Sequence, residues 1–143
     1  MTVARILSTK GRDVVTVAPH RILSEILRIL NDKRIGAVVV GGADGEVLGI
    51  FSERDLVRAL GRHGTEVLDE AVSRHMTSRV VTATEDMTVN QAMERMTEGR
   101  FRHIPVVEHG RLVGLVSIGD VVKYRIAEIE QERQDMLDYI GTA

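Results

Sequence analysis

The chain has 143 residues, a formal net charge of −2 at pH 7 and 43% hydrophobic residues, enough for one compact domain or for two small units sharing a core. With no cysteine, disulfides, thiolate catalysis and Cys-based metal sites are excluded. No dense Lys/Arg block suits a phosphate backbone, and no apolar run reaches the length of about 20 residues that spans a bilayer, so neither a nucleic-acid nor a membrane partner is expected.

The opening stretch, MTVARILSTKGRD, lacks the apolar centre of a secretion signal, which makes a cytoplasmic protein the expectation. Val14–Thr16 read as a short strand. A helix follows with Ile22, Ile26, Ile29 and Leu30 on one face. Next come an apolar strand, GAVVV, a tight turn at Asp44-Gly45 that suits a hairpin, and a second strand, EVLGIFS. A closing helix starts after Ser52. The segment from Arg62 to Ser78 is a link with a short helix around EVLDEAVSRHM.

The same succession then returns. Val80–Thr82 read as a strand, and Val89, Ala92, Met93 and Met96 line one face of a helix. The strand HIPVV, a turn at His109-Gly110 and the strand RLVGLVS lead into the last helix, expected from Ile118 to Tyr139. Val122, Ile126, Ile129, Met136 and Ile140 form a heptad-like stripe there, with Arg133 in the skipped seam position. Such a stripe either packs on its own domain or meets a second copy in a homodimer.

Set against each other, the halves align. Val14, Val15, Thr16, Arg34 and Val40 meet identical residues 66 positions later; after one extra residue in the first turn, Gly45, Gly49, Ser52, Asp55 and Val57 meet theirs 65 positions later. Two copies of one β-α-β-β-α unit are implied. A single copy of roughly 50 residues is marginal alone, so the two share a core.

Each copy ends its second strand in G-x-x-S-x-x-D: Gly49, Ser52 and Asp55, then Gly114, Ser117 and Asp120. The plain reading is a helix cap, with Ser at the N-cap and Asp at N3. A second reading is a ligand site. Free N–H groups at a helix start suit a phosphate, a carboxylate one turn in can accept both hydroxyls of a diol, and a glycine inside a strand marks close approach of a ligand or another backbone. Gly119, in the first helical turn, adds to this, because most side chains there favour the helix more than glycine does.

In combination these motifs resemble a tandem pair of CBS domains, a Bateman module, over about Val3 to Ala127. The resemblance implies an α/β (α+β) fold of two β-α-β-β-α repeats packed with pseudo-two-fold symmetry. The expected units are residues 1–65 for the first repeat with the N-terminal segment, 66–127 for the second with the linker helix, and 128–143 for a C-terminal helical extension. It also implies a non-enzymatic regulatory module without a catalytic cofactor. Such a module binds an adenosine ligand such as AMP, ATP, NAD(H) or S-adenosylmethionine between the repeats, forms a homodimer, and modulates a partner protein. The alternative is an adaptor or dimerisation module with vestigial clefts. Carried over by position, Asp55 and Asp120 hold ribose hydroxyls, Ser52 and Ser117 meet ribose or phosphate oxygens, and Thr16 and Thr82 lie beside the base.

The clefts are expected to differ. Arg102 and His103 align with Gly36 and Ala37, and the resemblance implies that basic residues at this place reach a phosphate. Arg supplies a planar fork, and His adds charge if its pKa is raised by that partner. This favours the cleft built on Ser117, Gly119 and Asp120 for a phosphate-bearing nucleotide. Arg54 either faces the other cleft or decorates its helix; Arg34 and Arg100 either reach a ligand or complement helix ends. Aromatic side chains are limited to Phe51, Phe101, Tyr124 and Tyr139, so a bound base is expected between aliphatic walls. His20, His63, His75 and His109 lack the spacing of a helical metal pair, and no Walker A, G-x-S-x-G or Rossmann glycine motif occurs.

Overall fold

The computed structural model describes residues 1–142. Its elements are α1 (Val3–Lys10), β1 (Thr16–Val17), α2 (Leu23–Lys33), β2 (Ala37–Gly41), β3 (Val47–Ser52), α3 (Glu53–His63), α4 (Val89–Gly99), β4 (His103–Glu108), β5 (Arg111–Ser117) and α5 (Ile118–Thr142). In the first copy β1 runs parallel to β2, and β2 is antiparallel to β3. The second copy has the β4–β5 hairpin, and its leading strand is reduced to a single parallel bridge between Ala83 and Val106. The mixed helix–strand architecture of two α+β repeats is thus present, with both leading strands shorter than the Val-Val-Thr pattern suggested.

Local chemistry accounts for the elements. Leu23, Ile26 and Leu30 are the buried stripe of α2, as Val89, Ala92 and Met96 are of α4, both at 3.6-residue spacing. Thr88 caps α4 through a reciprocal pair with Gln91. Both helices end on an arginine in the left-handed region, Arg34 at φ 54° and Arg100 at φ 56°. In the second hairpin, Glu108 pairs with Arg111 across His109 and Gly110, both with positive φ, the geometry that a two-residue turn needs.

The two cores are built by exchange. Val3, Ile6 and Leu7 of α1 pack into the second core with Ile104, Val106 and Val116. Conversely, Val67 and Val72 fill the first core with Leu23, Ile26, Val38 and Phe51; they sit in two 3-10 turns, Gly64–Asp69 and Val72–Arg74, where one short helix was expected. The division at residue 65 expected from the sequence therefore crosses the packing. It groups α1 with the first copy, although the buried face of α1 belongs to the second core. It also separates Val67 and Val72 from the core they complete.

The strand glycines serve this exchange. A Cβ on Gly49 would lie 2.9 Å from the Thr77 carbonyl oxygen and against Met76 Sδ; one on Gly114 would lie 2.6 Å from Leu7 Cδ2. The close approach marked by both glycines is thus that of the crossing segment. Ile50 and Thr77 exchange backbone bonds of 3.0 and 2.9 Å at the first crossing.

The last helix extends to Thr142, and its buried residue is Val121. Val122, Ile126, Ile129, Met136 and Ile140 are exposed, as are Leu137 and Tyr139, so the stripe does not close on its own domain.

Overpacking of a filled core costs about 1–3 kcal/mol. Gly49→Ala meets a backbone carbonyl that cannot rotate away, whereas Gly114→Ala meets the end of a leucine side chain. Urea unfolding should therefore show a loss of about 2–3 kcal/mol for Gly49→Ala and a smaller one for Gly114→Ala.

Candidate functional site

Both Ser-x-x-Asp motifs cap a helix. The Ser52 N–H donates to Asp55 Oδ2 at 2.9 Å, and the Ser52 hydroxyl donates to the same oxygen at 3.1 Å. In the second copy the Ser117 N–H donates to Asp120 Oδ2 at 2.9 Å, and the Asp120 N–H donates back to Ser117 Oγ at 3.1 Å. The remaining partners differ. Asp55, 6% exposed, accepts from the Thr77 hydroxyl at 3.0 Å and more loosely from Arg58 at 3.4 Å. Asp120 accepts from the Lys10 ammonium at 2.6 Å, and that ammonium also donates to the Leu115 carbonyl at 2.7 Å. Each aspartate is thus held by the segment that crosses from the N-terminal side of the other copy.

A cavity of about 390 Å³ opens above Ser52 and Asp55. Gly36, Ile50 and Ser52 line it from the first copy, and the apolar Val80, Val81 and Phe101 line it too. Arg79, Arg100, Arg102 and His103 enter from the second copy, and Arg54 and Arg58 from α3. Arg54 donates to the Arg100 carbonyl at 2.7 Å and so ties the two sides together. Five arginines face two carboxylates, Glu53 and Asp55, a balance that attracts anions.

This corrects the expected pairing. Arg102 and His103 line the cavity with Ser52 and Asp55, whereas the sequence suggested that they equip the Ser117/Asp120 cleft. The reason is steric. A Cβ on Gly36 would lie 3.3 Å from the His103 ring, so the side chain missing from one copy leaves room for the other's. Burial lowers the His103 pKa below the ordinary 6.5, outweighing the opposing pull of Glu53 and Asp120.

The other candidates are scattered. Thr16 lines a separate groove with Pro19, Val39 and Gly41. Thr82 follows Val81, and its carbonyl accepts from Arg95 at 2.8 Å. Arg34 is exposed. Gly119 is exposed too, and a Cβ there would make only an ordinary 3.5 Å contact with Ser117 Oγ. Asp120 lies with Lys10, Lys123, Tyr124 and Glu128 in a groove between α1 and α5. Sequence reasoning missed Thr77, Arg79 and Lys10. All three precede a repeat's first strand, in segments that looked like connections, and no motif marks them.

The CBS domain family profile matches residues 3–62 and 71–127. The chain belongs to the CBS domain family. A CBS-domain containing protein from Agrobacterium tumefaciens is 54% identical with a TM-score of 0.85, covering 87% of this chain and 99% of that one. A CBS domain protein from Pyrobaculum aerophilum complexed with AMP is 28% identical, TM-score 0.74, over 84% of this chain and 89% of that one. The CBS domain pair of protein MJ0100, in complex with 5′-methylthioadenosine and S-adenosyl-L-methionine, is 25% identical, TM-score 0.78, over 90% and 98%. An uncharacterised protein of Methanopyrus kandleri is 36% identical over 85% of this chain, which spans 64% of that relative's length.

CBS domain proteins are generally regulatory modules rather than enzymes. Among the described residues of this CBS pair, no cluster of three or more His, Asp or Glu could hold a metal ion, and no helix is long and apolar enough to cross a membrane.

Asp120 carries a pH signature. Burial raises its pKa, but the hydrogen bond from Lys10, the two bonds with Ser117 and the Lys10 charge together hold it below the ordinary 3.8. A carboxyl whose folded value is depressed stabilises the fold above its unfolded pKa, and that stability is lost as pH falls through the folded value. Asp120→Asn should therefore be less stable than wild type at pH 7, and the difference should shrink as unfolding is measured from about pH 5 to pH 2.5.

Proposed function

We propose that the CBS pair is a regulatory module that binds an adenine nucleotide, AMP, ATP or NAD(H), in the cleft above Ser52 and Asp55. The observation that carries this reading is the convergence of Arg79, Arg100 and Arg102 beside the capped start of α3. Arginines pair with phosphate oxygens through two parallel N–H bonds. The ligands named for two CBS pairs of the same fold, AMP in one and 5′-methylthioadenosine with S-adenosylmethionine in the other, share adenosine. Asp55 accepts the ribose hydroxyls, exchanging the Thr77 and Arg58 bonds for the diol. Val80, Val81 and Phe101 enclose the base. S-adenosylmethionine presents a sulfonium where the arginines concentrate positive charge, so the phosphate-bearing ligands are favoured.

In the same reading the module is a homodimer whose α5 helices cover each other's exposed stripe, and ligand occupancy alters what that dimer presents to a partner. Signalling needs unequal affinity of the ligand for two states. The competing adaptor reading draws on the bonds already made by Asp55, which satisfy the carboxylate without a ligand.

Thermal denaturation with AMP, ADP, ATP, NAD, NADH and S-adenosylmethionine separates the readings. A ligand at about 100 times its Kd should add roughly 2.7 kcal/mol; an unchanged midpoint with all six favours the adaptor. Arg102→Ala should weaken AMP or ATP binding about 10-fold or more, as loss of a charge-assisted bond of about 1.5–3 kcal/mol requires, and should reduce the dependence of affinity on salt. Being exposed, the same change should leave stability within about 0.5 kcal/mol. For the dimer, Ile126→Glu with Ile129→Glu should halve the mass in light scattering without lowering the helix content; an unaltered mass removes α5 from the interface.

A further inference from the structure

Lys10 is the basic residue in the last turn of α1. It continues the apolar stripe of α1, at the i+7 position from Val3 and the i+3 position from Leu7, and both of those residues are fully buried. Lys10 itself is exposed, with a third of its side chain open to solvent, so its ammonium keeps to this stripe only through partners. It has two: Asp120 Oδ2 at 2.6 Å and the Leu115 carbonyl at 2.7 Å. The helix is held in place by Leu7, which occupies the space left by Gly114, and the Gly11 N–H closes its end on the Leu7 carbonyl at 2.8 Å.

The corresponding crossing segment at the other cleft reaches Asp55 with the neutral Thr77 hydroxyl. A diol can replace a hydroxyl with equivalent bonds, whereas displacing Lys10 breaks an ion pair of 2.6 Å to a half-buried carboxylate. A second, independent difference points the same way. In the internal alignment, Arg79 and Arg102 correspond to Asp13 and Gly36, so the second copy of the cleft lacks two of its phosphate donors.

We infer that Lys10 closes the second cleft, its ammonium holding the Asp120 oxygen that a ribose diol would use, so that the chain binds one adenine nucleotide and not two. This rests on the proposed nucleotide reading of the Ser52/Asp55 cleft. Lys10 is then a specificity-determining residue: it makes a two-fold repeated scaffold a single-site binder.

The test uses the full chain with AMP and ATP as probes, and the Lys10→Met variant, which keeps the length of the side chain without its charge. Calorimetry should give one nucleotide per wild-type chain and, for Lys10→Met, a second and weaker event, because Asp13 and Gly36 stand where the first cleft has Arg79 and Arg102. Adding Asp120→Asn to Lys10→Met should abolish the second event. Without nucleotide, the Asp120 carboxyl followed by carbon NMR should titrate at higher pH in Lys10→Met than in wild type.

Three results overturn the inference: two nucleotides per wild-type chain with Asp120→Asn removing one, a Lys10→Met chain that still binds one or fewer, or an Asp120 titration that Lys10→Met leaves unmoved. If neither wild type nor Lys10→Met binds any nucleotide, the nucleotide reading itself fails. The Asp120 titration then decides on its own whether Lys10 holds that carboxylate.

Discussion

The structure depends on the exchange of leading segments between the two copies. Neither copy completes its own core: α1 supplies Val3, Ile6 and Leu7 to the second, and the turns after α3 supply Val67 and Val72 to the first. The exchange makes each half's core depend on a segment that lies outside its own repeat. It also sets the chemistry of the clefts, because the crossing segments continue past the cores and end on the two aspartates. Thr77 reaches Asp55 and Lys10 reaches Asp120. Packing and site are therefore consequences of one crossing, and Gly49 and Gly114 are the places where it passes closest to the strands.

Helix capping and ligand recognition draw on the same atoms. A helix start offers N–H groups and favours a carboxylate nearby, so Ser52 with Asp55, and Ser117 with Asp120, satisfy their helices before any ligand arrives. What separates a cap from a site is its surroundings. Around Asp55 an arginine-rich cavity opens toward the second copy; around Asp120 a lysine has already taken the carboxylate. Two motifs identical at Ser and Asp thus lie in unequal environments, and the inequality comes from residues outside the motif.

Much of this was legible in the chain. The 66- and 65-residue shifts disclosed the repeat, the period changes disclosed its elements, and the Asp44-Gly45 and His109-Gly110 pairs disclosed both hairpins. The stripe on α5 was visible as a heptad pattern, and in the folded chain it is exposed. The errors share a cause. Arg102 and His103 were grouped with Ser117 because they lie in the same copy, yet β4 delivers them across the junction to Ser52. Lys10 and Thr77 passed as residues of the opening stretch and the link because their partners lie far along the chain, 22 residues away for Thr77 with Asp55 and 110 for Lys10 with Asp120.

By itself the sequence determined what is local: hydrophobic period, turn glycines, the Ser-x-x-Asp caps and the fact of duplication. These are read within a few residues, or by comparing the chain with itself, and the physics behind them is short-ranged. Tertiary structure alone decided which copy's basic residues face which aspartate, that α1 belongs to the second core, and that Asp120 carries an ionic partner while Asp55 carries a hydroxyl. Those outcomes depend on how two similar units pack about an approximate two-fold axis, where one missing side chain, at Gly36, makes room for a ring from the other half. The same Ser-x-x-Asp therefore gives an open, arginine-lined cleft in one copy and a lysine-bound carboxylate in the other.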